Sequence, residues 1–402
     1  MVEELGPRTS RMVPTFVQLM IFQAMGSFCN SSYSPLSPFF HSSYRISQSD
    51  LGFINSMVFL GMSIISLISG LLIDRYGAKV LLWVSMCFFV AGGLIGGILH
   101  SYVAVLVSFL IIGFGYGIVT PATSRALMNA YAPRHSRYMG FKQTGVSIGG
   151  ALAVLCTPLV ATAFGLVGAF LLIALLGCLG AASLLLVQNW PFPAGASQSF
   201  QQKLVQVVKY PPLIFISIVI FFFIWVQQSI LTFYVLSIRQ LGIPLNLSET
   251  FLFVILVGAI VGRLLWASGS ERLFHGDRAR LLAMIGTVSG GMLFVLALGL
   301  TNFTVDLILS FFLGVTTQAW NGTYVTLVAE IVPLNLVGSA SGTSLAFAYL
   351  GAIFGTPISG FVVDKTSSFG TLWVILGFSM LAVSFIIALF YGPIRKRSTV
   401  IG

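Results

Sequence analysis

The stretch Gly-Leu-Leu-Ile-Asp-Arg-Tyr-Gly-Ala-Lys, residues 70–79, decides the fold. It joins two long apolar runs, residues 50–72 and 80–99, through a short charged turn. About 20 apolar residues are enough to cross a bilayer as a helix. The stretch is therefore predicted to be a loop at a membrane surface, between two transmembrane helices that run in opposite directions.

The composition indicates that most of the chain lies in lipid. Of 402 residues, 57% are hydrophobic and only 7% are charged, whereas a soluble domain carries about 25% charged residues. So few charges cannot cover a surface that faces water. The four cysteines show neither a disulfide framework nor metal-ligand spacing, so we expect no metal and no cofactor.

Apolar runs of spanning length recur along the whole chain. They are too long and too uniformly apolar for barrel strands, so the chain is predicted to be an all-α integral membrane protein with twelve transmembrane helices. The first run lacks a signal-cleavage site and is read as a retained helix. The twelve runs are residues 12–34, 50–72, 80–99, 103–128, 139–163, 165–188, 210–237, 248–268, 280–300, 304–330, 338–363 and 370–392.

The chain divides at its least apolar connection. Residues 189–209 are rich in Pro, Gly, Ser and Gln, which marks a linker. On the predicted topology this linker is cytoplasmic. It separates an N-terminal six-helix bundle, residues 1–188, from a C-terminal six-helix bundle, residues 210–402.

The two halves repeat each other weakly. A shift of 197 residues places Gly61 on Gly258, and a shift of 199 places Thr157 on Thr356, each threonine being followed by proline. Weak self-similarity between two six-span halves is typical of secondary transporters built from repeats. The two bundles are therefore expected to be pseudo-symmetric.

The net charge of +10 is explained by topology. Lys and Arg concentrate in the loops that share a side with both termini, and the opposite loops hold only Arg45, Arg239 and Lys365. Cytoplasmic loops carry such an excess. We therefore expect a multi-pass protein of a bacterial inner membrane with both termini in the cytoplasm, and no nucleic-acid partner.

Residues 70–79 match the pattern G-x-L-x-D-R-x-G-x-K/R, and the chain resembles the major facilitator superfamily over its whole length. The resemblance implies alternating access, in which two halves rock around a site near the membrane midplane. Asp74 would then meet the positive N-terminal end of span eleven and latch the cytoplasmic side. The alternative is a solvated turn whose charges only set topology. The predicted gating residues are Gly70, Asp74, Arg75, Gly77 and Lys79, with Glu271 and Arg272 in a degenerate second copy.

Arg263 is the strongest substrate-binding candidate. It lies inside span eight, where a charge costs about 2.5–3.5 kcal/mol on insertion scales. Residues 263–272 resemble span eight of the oxalate/formate and monocarboxylate transporter branch, where an arginine here grips the substrate carboxylate. A planar guanidinium suits that task. The alternative is a structural arginine that pairs with Glu330 or a loop carbonyl. Span eleven has no lysine, unlike the oxalate exchangers, which favours a monovalent anion.

Other polar and aromatic residues near mid-depth could complete the site, or could pack between helices. Trp320 is preferred among them because the resembling branch has aromatic walls here and Asn321-Gly322 interrupts the span. The residues are Asn30, Tyr33, Tyr116, Gln227, Gln228, Gln318, Trp320, Asn321 and Tyr349.

Lys142 and Gln143 lie about one turn inside the predicted cytoplasmic boundary of span five. Lys142 could extend to the headgroups, or it could line the inner vestibule and attract an anion. Small residues at Gly145 and Gly149 follow, and their spacing favours close helix packing.

None of the acidic residues lies at mid-depth in a predicted span. Proton-driven drug exporters commonly use an embedded carboxylate, so a cationic-drug antiporter is disfavoured. Protonation of the substrate itself, or exchange against another anion, needs no such group.

The sequence thus predicts a secondary active transporter, acting as a monomer, for a small organic anion such as a monocarboxylate. Protons or a counter-anion are possible coupling partners, and membrane lipids surround the chain. Two alternatives remain open: a transporter of neutral or hydrophobic compounds, and a membrane sensor that transports nothing. The sequence does not predict an enzyme, since it shows no nucleophile–base pair.

Overall fold

The regular elements of the described chain are all α-helices. The computed structural model describes residues 9–130, 135–186, 210–272, 274–299, 301–333 and 337–400. The predicted linker, residues 189–209, lies outside these ranges. The helices are α1 Thr9–Ser31, α2 Tyr33–Tyr44, α3 Gln48–Tyr76, α4 Ala78–Ile98, α5 Tyr102–Ala130, α6 His135–Leu186, α7 Pro211–Gln240, α8 Leu245–Arg272, α9 Arg278–Ala297, α10 Phe303–Thr317, α11 Asn321–Ile331, α12 Val337–Thr366 and α13 Phe369–Val400.

The helices agree with the predicted spans. Within the described ranges, 10 helical stretches are long and apolar enough to cross a membrane. One of them, Lys142–Leu185, is 44 residues long and holds predicted spans five and six. It turns at Gly165, whose φ of 69° is a conformation that glycine adopts without strain. Helix α1 adds a further 23-residue segment, which is also of spanning length.

The first predicted span ends in the wrong place. The run was expected to stop at residue 34, but the chain turns at Ser32 and continues as α2 to Tyr44. Polar residues such as Ser37 lowered the apparent apolarity of this segment. The Ser37 hydroxyl donates to the Tyr33 carbonyl at 3.1 Å, so it is satisfied within the helix.

The described residues group into two compact units. The first holds α1 and the chain from Leu60 through α6. The second holds α7 to α13 together with Tyr33–Phe59, a segment that precedes them by more than a hundred residues. This segment, α2 with the first part of α3, packs against the later helices of its own unit.

In the first unit, α1 packs on α6 and α5, and α4 packs on α5 and α6. The small residues of α6 make the contact with α1 possible. A Cβ at Gly149 would lie 2.0 Å from the Ala24 carbonyl oxygen, and one at Gly145 would lie 2.6 Å from that of Met20. The glycines therefore serve close helix packing, as their spacing predicts.

In the second unit, α7 packs on α12 and α13, α8 on α10, and α9 on α13. The repeated residues make equivalent contacts inside each unit. A Cβ at Gly258 would lie 2.2 Å from the Phe311 carbonyl oxygen, and one at Gly61 would lie 2.3 Å from that of Leu110. The two glycines thus allow the same close approach of two helices in both halves.

Candidate functional site

Arg263 lies at the boundary between the buried face and the exposed stripe of α8. Residues four apart share a helix face, and Ala259, four residues earlier, is buried at 3% exposure. The exposed stripe of this helix runs through Ile260 and Leu264, the latter 70% exposed. Arg263 is half-buried. The side chain is therefore partly accessible, and Arg263 stays a substrate-binding prediction.

The neighbours of Arg263 fix α8 against α10. The Trp266 indole donates to the Val315 carbonyl at 2.7 Å. A Cβ at Gly262 would lie 2.6 Å from the Ala319 Cβ, so only glycine lets the two backbones approach so closely here. Arg263 therefore directly follows Gly262, the residue at which α8 comes close to Ala319 after the end of α10.

The span that carries Ala319 is broken at that point. Helix α10 ends at Thr317 and α11 begins at Asn321, so residues 318–320 form a turn between them. Gln318 and Trp320 keep right-handed helical backbone angles, so this is a local break between two helices and not an unwound segment. Transporters place such breaks beside their substrate sites. The interruption that the sequence predicts is thus present, and it lies next to Arg263.

The side chains of the break are held by hydrogen bonds. The Gln318 amide donates to the Gln227 carbonyl of α7 at 3.3 Å. Asn321, which is half-buried, places its amide 3.5 Å from the Gln318 carbonyl. The structure therefore links Gln227, Gln318 and Asn321 at the break, and Gly262, the residue before Arg263, contacts Ala319 of the same turn.

Trp320 is wholly enclosed at this break. Its indole donates to the Thr317 carbonyl at 3.1 Å. Its ring centroid lies 5.6 Å from that of Phe223 and 5.9 Å from that of Tyr324. With 0% exposure, Trp320 packs between helices and helps to fix the turn at residues 318–320.

A second polar contact reaches the same region of α7. The Tyr33 hydroxyl of α2 donates to the Gln228 side-chain carbonyl at 2.6 Å, and both residues are buried. Tyr349 of α12 packs edge-on against Phe59, with 5.3 Å between the ring centroids. Tyr33 and Tyr349 are thus engaged with other side chains of their own unit.

The remaining substrate-binding candidates lie in the first unit. Asn30 is half-buried, and its side-chain oxygen has no hydrogen-bond partner among the described residues. Tyr116 is half-buried in α5, with its ring edge beside Gly26 of α1. Gln143 is exposed.

Lys142 does not extend to the headgroups. It has 0% exposure, and its ammonium lies 2.8 Å from the Ser124 hydroxyl and 3.2 Å from that of Thr123. The prediction that it reaches the membrane surface is wrong, because α5 offers these hydroxyls in the interior of the unit.

The predicted cytoplasmic latch is described only in part. Gly77 has φ 88° between α3 and α4, which confirms the tight turn, and its N–H donates to the Ile73 carbonyl at 2.8 Å. The Arg75 guanidinium lies 5.2 Å from the Tyr76 ring centroid, and Lys79 is half-buried. The environment of Gly70 and the side chains of Asp74, Glu271 and Arg272 lie outside the described residues.

Glu330, the alternative partner considered for Arg263, forms a salt bridge with Arg278. Arg278 begins α9, and Glu330 lies near the end of α11. The Glu330 carboxylate is thus engaged by another cation.

Asp306 is more buried than its position predicts. It lies in the first turn of α10 at 2% exposure. Thirteen residues separate it from Ala319, which is about 20 Å along a helix. Asp306 is therefore not part of the site around Arg263.

Asp364 makes a contact that the sequence reasoning missed. From the end of α12, its carboxylate accepts the backbone N–H groups of Gln48 and Ser49, both at 2.9 Å. It thereby caps the N-terminus of α3, which carries a partial positive charge. The signal in the sequence was the position of Asp364 at the end of span eleven, opposite to the end that Asp74 was expected to meet.

Comparison with known proteins identifies the family. The family model named Major Facilitator Superfamily matches residues 19–356. The hexuronate transporter of Bacillus subtilis is 22% identical over 408 residues, covering 95% of each chain. A putative niacin/nicotinamide transporter of the same organism is 25% identical and covers 85% of this chain and 86% of its own.

A solved structure has the same fold. The crystal structure of a nucleoside transporter superposes with a TM-score of 0.80, at 17% identity, covering 94% of this chain and 100% of that one. The oxalate/formate and monocarboxylate branch is not among these matches, so they support the superfamily and leave the branch a prediction.

Proposed function

The chain belongs to the major facilitator superfamily, and from that premise we propose that it moves a small organic anion across the membrane by alternating access. Arg263 is the anchor for the carboxylate, and a monocarboxylate is the favoured substrate. We further propose a monomer in a bacterial inner membrane, with both termini in the cytoplasm and the two six-helix halves joined by residues 189–209.

One observation carries the proposal. Arg263 is half-buried in α8, and the residue before it, Gly262, packs against Ala319. Ala319 belongs to the turn that interrupts the α10–α11 span. A guanidinium beside an interrupted membrane helix is suited to hold a carboxylate, because it stays charged and offers paired donors.

The polar groups around this point would orient the ligand. Asn321 and Gln227 are half-buried, whereas Gln318 and Trp320 are buried. We assign ligand contact to the first two and a supporting role to the other two. A small set of polar groups on a packed scaffold is the usual composition of such sites.

The relatives support the substrate class. One is named for hexuronate, a carboxylate, and another for niacin and nicotinamide, which form an acid–amide pair. Coupling to protons through the substrate, or to a counter-anion, needs no carboxylate in the middle of a span.

The test is flux into proteoliposomes with ligand pairs that differ mainly in charge. Nicotinate is compared with nicotinamide, and glucuronate with glucose. The proposal expects saturable uptake of at least one acid with little uptake of its neutral partner. Equal uptake of acid and neutral partner would favour a transporter of neutral compounds, and no flux under any gradient would favour a sensor.

A further inference from the structure

Lys142 of α6 is completely enclosed within the first unit. Its side chain has 0% exposure and reaches from α6 to oxygens of α5. Lysine is almost never fully buried without a partner, because taking an ammonium out of water costs several kcal/mol. This burial therefore needs an explanation that packing alone does not give.

The hydrogen bonds around Lys142 fit the charged form. Its nitrogen lies 2.8 Å from Ser124 Oγ, 3.2 Å from Thr123 Oγ1 and 3.5 Å from the Thr120 carbonyl oxygen. The Ser124 hydroxyl donates to the Thr120 carbonyl at 2.7 Å, and the Thr123 hydroxyl donates to a carbonyl of its own helix at 2.7 Å. All three partners of Lys142 must therefore accept. An ammonium has three hydrogens to donate, whereas a neutral amine has two.

The cluster is extended by a buried amide from α1. Gln23 has 0% exposure and donates to Thr120 Oγ1 at 3.2 Å, and its side-chain oxygen lies 3.0 Å from Thr123 Oγ1. Gln23 thus holds the two threonines of α5 in place. It contributes dipoles and no charge.

Lys142 has no counter-charge among the described residues. Its recorded partners are two hydroxyls and one backbone carbonyl, all neutral. Arg125, the next residue after Ser124, adds a second positive group to this end of α5. The described part of the first unit therefore holds a buried positive charge that neutral oxygens alone stabilise.

Two hydroxyl-bearing residues beside the ammonium are partly accessible. Thr120 and Ser124 are half-buried, so part of each side chain reaches the surface of the molecule. A lysine side chain is long and flexible, and it can exchange hydroxyl partners for an incoming anion. A carboxylate placed against Thr120 and Ser124 would supply the missing negative charge.

We propose that Lys142, with Thr120 and Ser124, forms an anion-binding site for a carboxylate in the first unit. The inference rests on the proposed function, because it takes the same class of ligand. The inference goes beyond the proposed function because it locates an anion contact in the first half of the chain. There the ligand carboxylate would be the acidic partner of Lys142. Binding then compensates a charge that has no counter-charge among the residues that the structure describes.

The test compares Lys142→Met with Thr123→Val by thermal unfolding in detergent and by carboxylate titration with nicotinate and glucuronate. Replacing an unpaired buried ion with an apolar side chain of similar volume is often stabilising. We expect Lys142→Met to raise the melting temperature of the ligand-free protein by about 2–4 °C. We also expect it to weaken carboxylate binding at least about tenfold, a loss typical of a charged hydrogen bond. Thr123→Val removes one of the three contacts between Lys142 and α5 but keeps the charge, and should bind carboxylate much more tightly than Lys142→Met.

Wild-type affinity in Lys142→Met would overturn the inference while leaving the role of Arg263 untouched. An equal loss of affinity in both variants would also overturn it, because the helix link rather than the charge would then be responsible. If the wild type binds no carboxylate at all, the proposed function itself fails.

Discussion

The carboxylate of Asp364 is bound to Ser49 twice, by the backbone N–H at 2.9 Å and by the hydroxyl at 2.6 Å. The same two helices are joined further along by a bond of 3.2 Å from the Asn55 amide to the Thr356 hydroxyl. A carboxylate at a helix N-terminus is stabilised by the free N–H groups and by the helix dipole. The end of α12 therefore holds the start of α3 in the structure described here.

Asp364→Ala should loosen this contact. Loss of an N-terminal cap costs about 1 kcal/mol, which is about a fivefold change in an equilibrium. We expect a cysteine at the buried position Asn55, in a background without the four native cysteines, to react about fivefold faster when Asp364 is replaced. Asp50→Ala is the control, because the Asp50 carboxylate bonds to Ser47 in its own turn. Equal labelling rates in the two variants would show that Asp364 does not stabilise the contact between the end of α12 and the start of α3.

Asp74→Asn tests the predicted latch at the opposite end of α3. If the Asp74 carboxylate meets the N-terminus of α12, neutralising it weakens a charge–dipole contact worth about 0.3–1 kcal/mol. The resting population should then shift towards the cytoplasm-open state. The measurement is the labelling rate of Gln143→Cys, an exposed position, in the cysteine-free background. A rate that does not change would count against the latch.

Gly258→Ala should destabilise the second unit. The new methyl group would lie 2.2 Å from the Phe311 carbonyl oxygen, so α8 and α10 would have to separate. Overpacking of this kind costs about 1–3 kcal/mol. Gly291→Ala in α9 is the matched control, since a Cβ there has no heavy atom within 4 Å. Thermal unfolding in detergent should give a lower midpoint for the first variant and no decrease for the second. The same unfolding midpoint for both variants would mean that the close contact between α8 and α10 at Gly258 does not contribute to stability.

The spans were predictable because uniform apolar runs have few solutions in lipid. The turn at Gly77 was also predictable, since a charged segment with glycine must connect two adjacent spans. The end of the first span was not, because Ser37 and Ser42 of α2 donate to carbonyls of their own helix and are compatible with a long helix. Hydropathy alone cannot distinguish a satisfied serine from an exposed one.

The site was predicted in its residue types and only partly in its arrangement. Arg263 and the break at residues 318–320 follow from a charge and an Asn-Gly pair inside apolar runs. The direction in which a side chain points does not follow from the sequence. In a membrane helix the side that faces the protein and the side that faces lipid are both apolar, so hydrophobic periodicity does not distinguish them. That is why Trp320 was expected to line the site but is enclosed, and why Lys142 was expected to reach the headgroups but is buried.

The most direct test of the central claim is carboxylate-induced thermal stabilisation of the wild type, Arg263→Lys and Arg263→Ala, run as one panel of acids and their neutral partners. The account predicts that at least one acid, and not its neutral partner, raises the melting temperature of the wild type. It predicts a weaker rise for Arg263→Lys, which keeps the charge without the paired donors, and the smallest rise for Arg263→Ala. Stabilisation of Arg263→Ala equal to that of the wild type would contradict the assignment of Arg263 as the anion anchor.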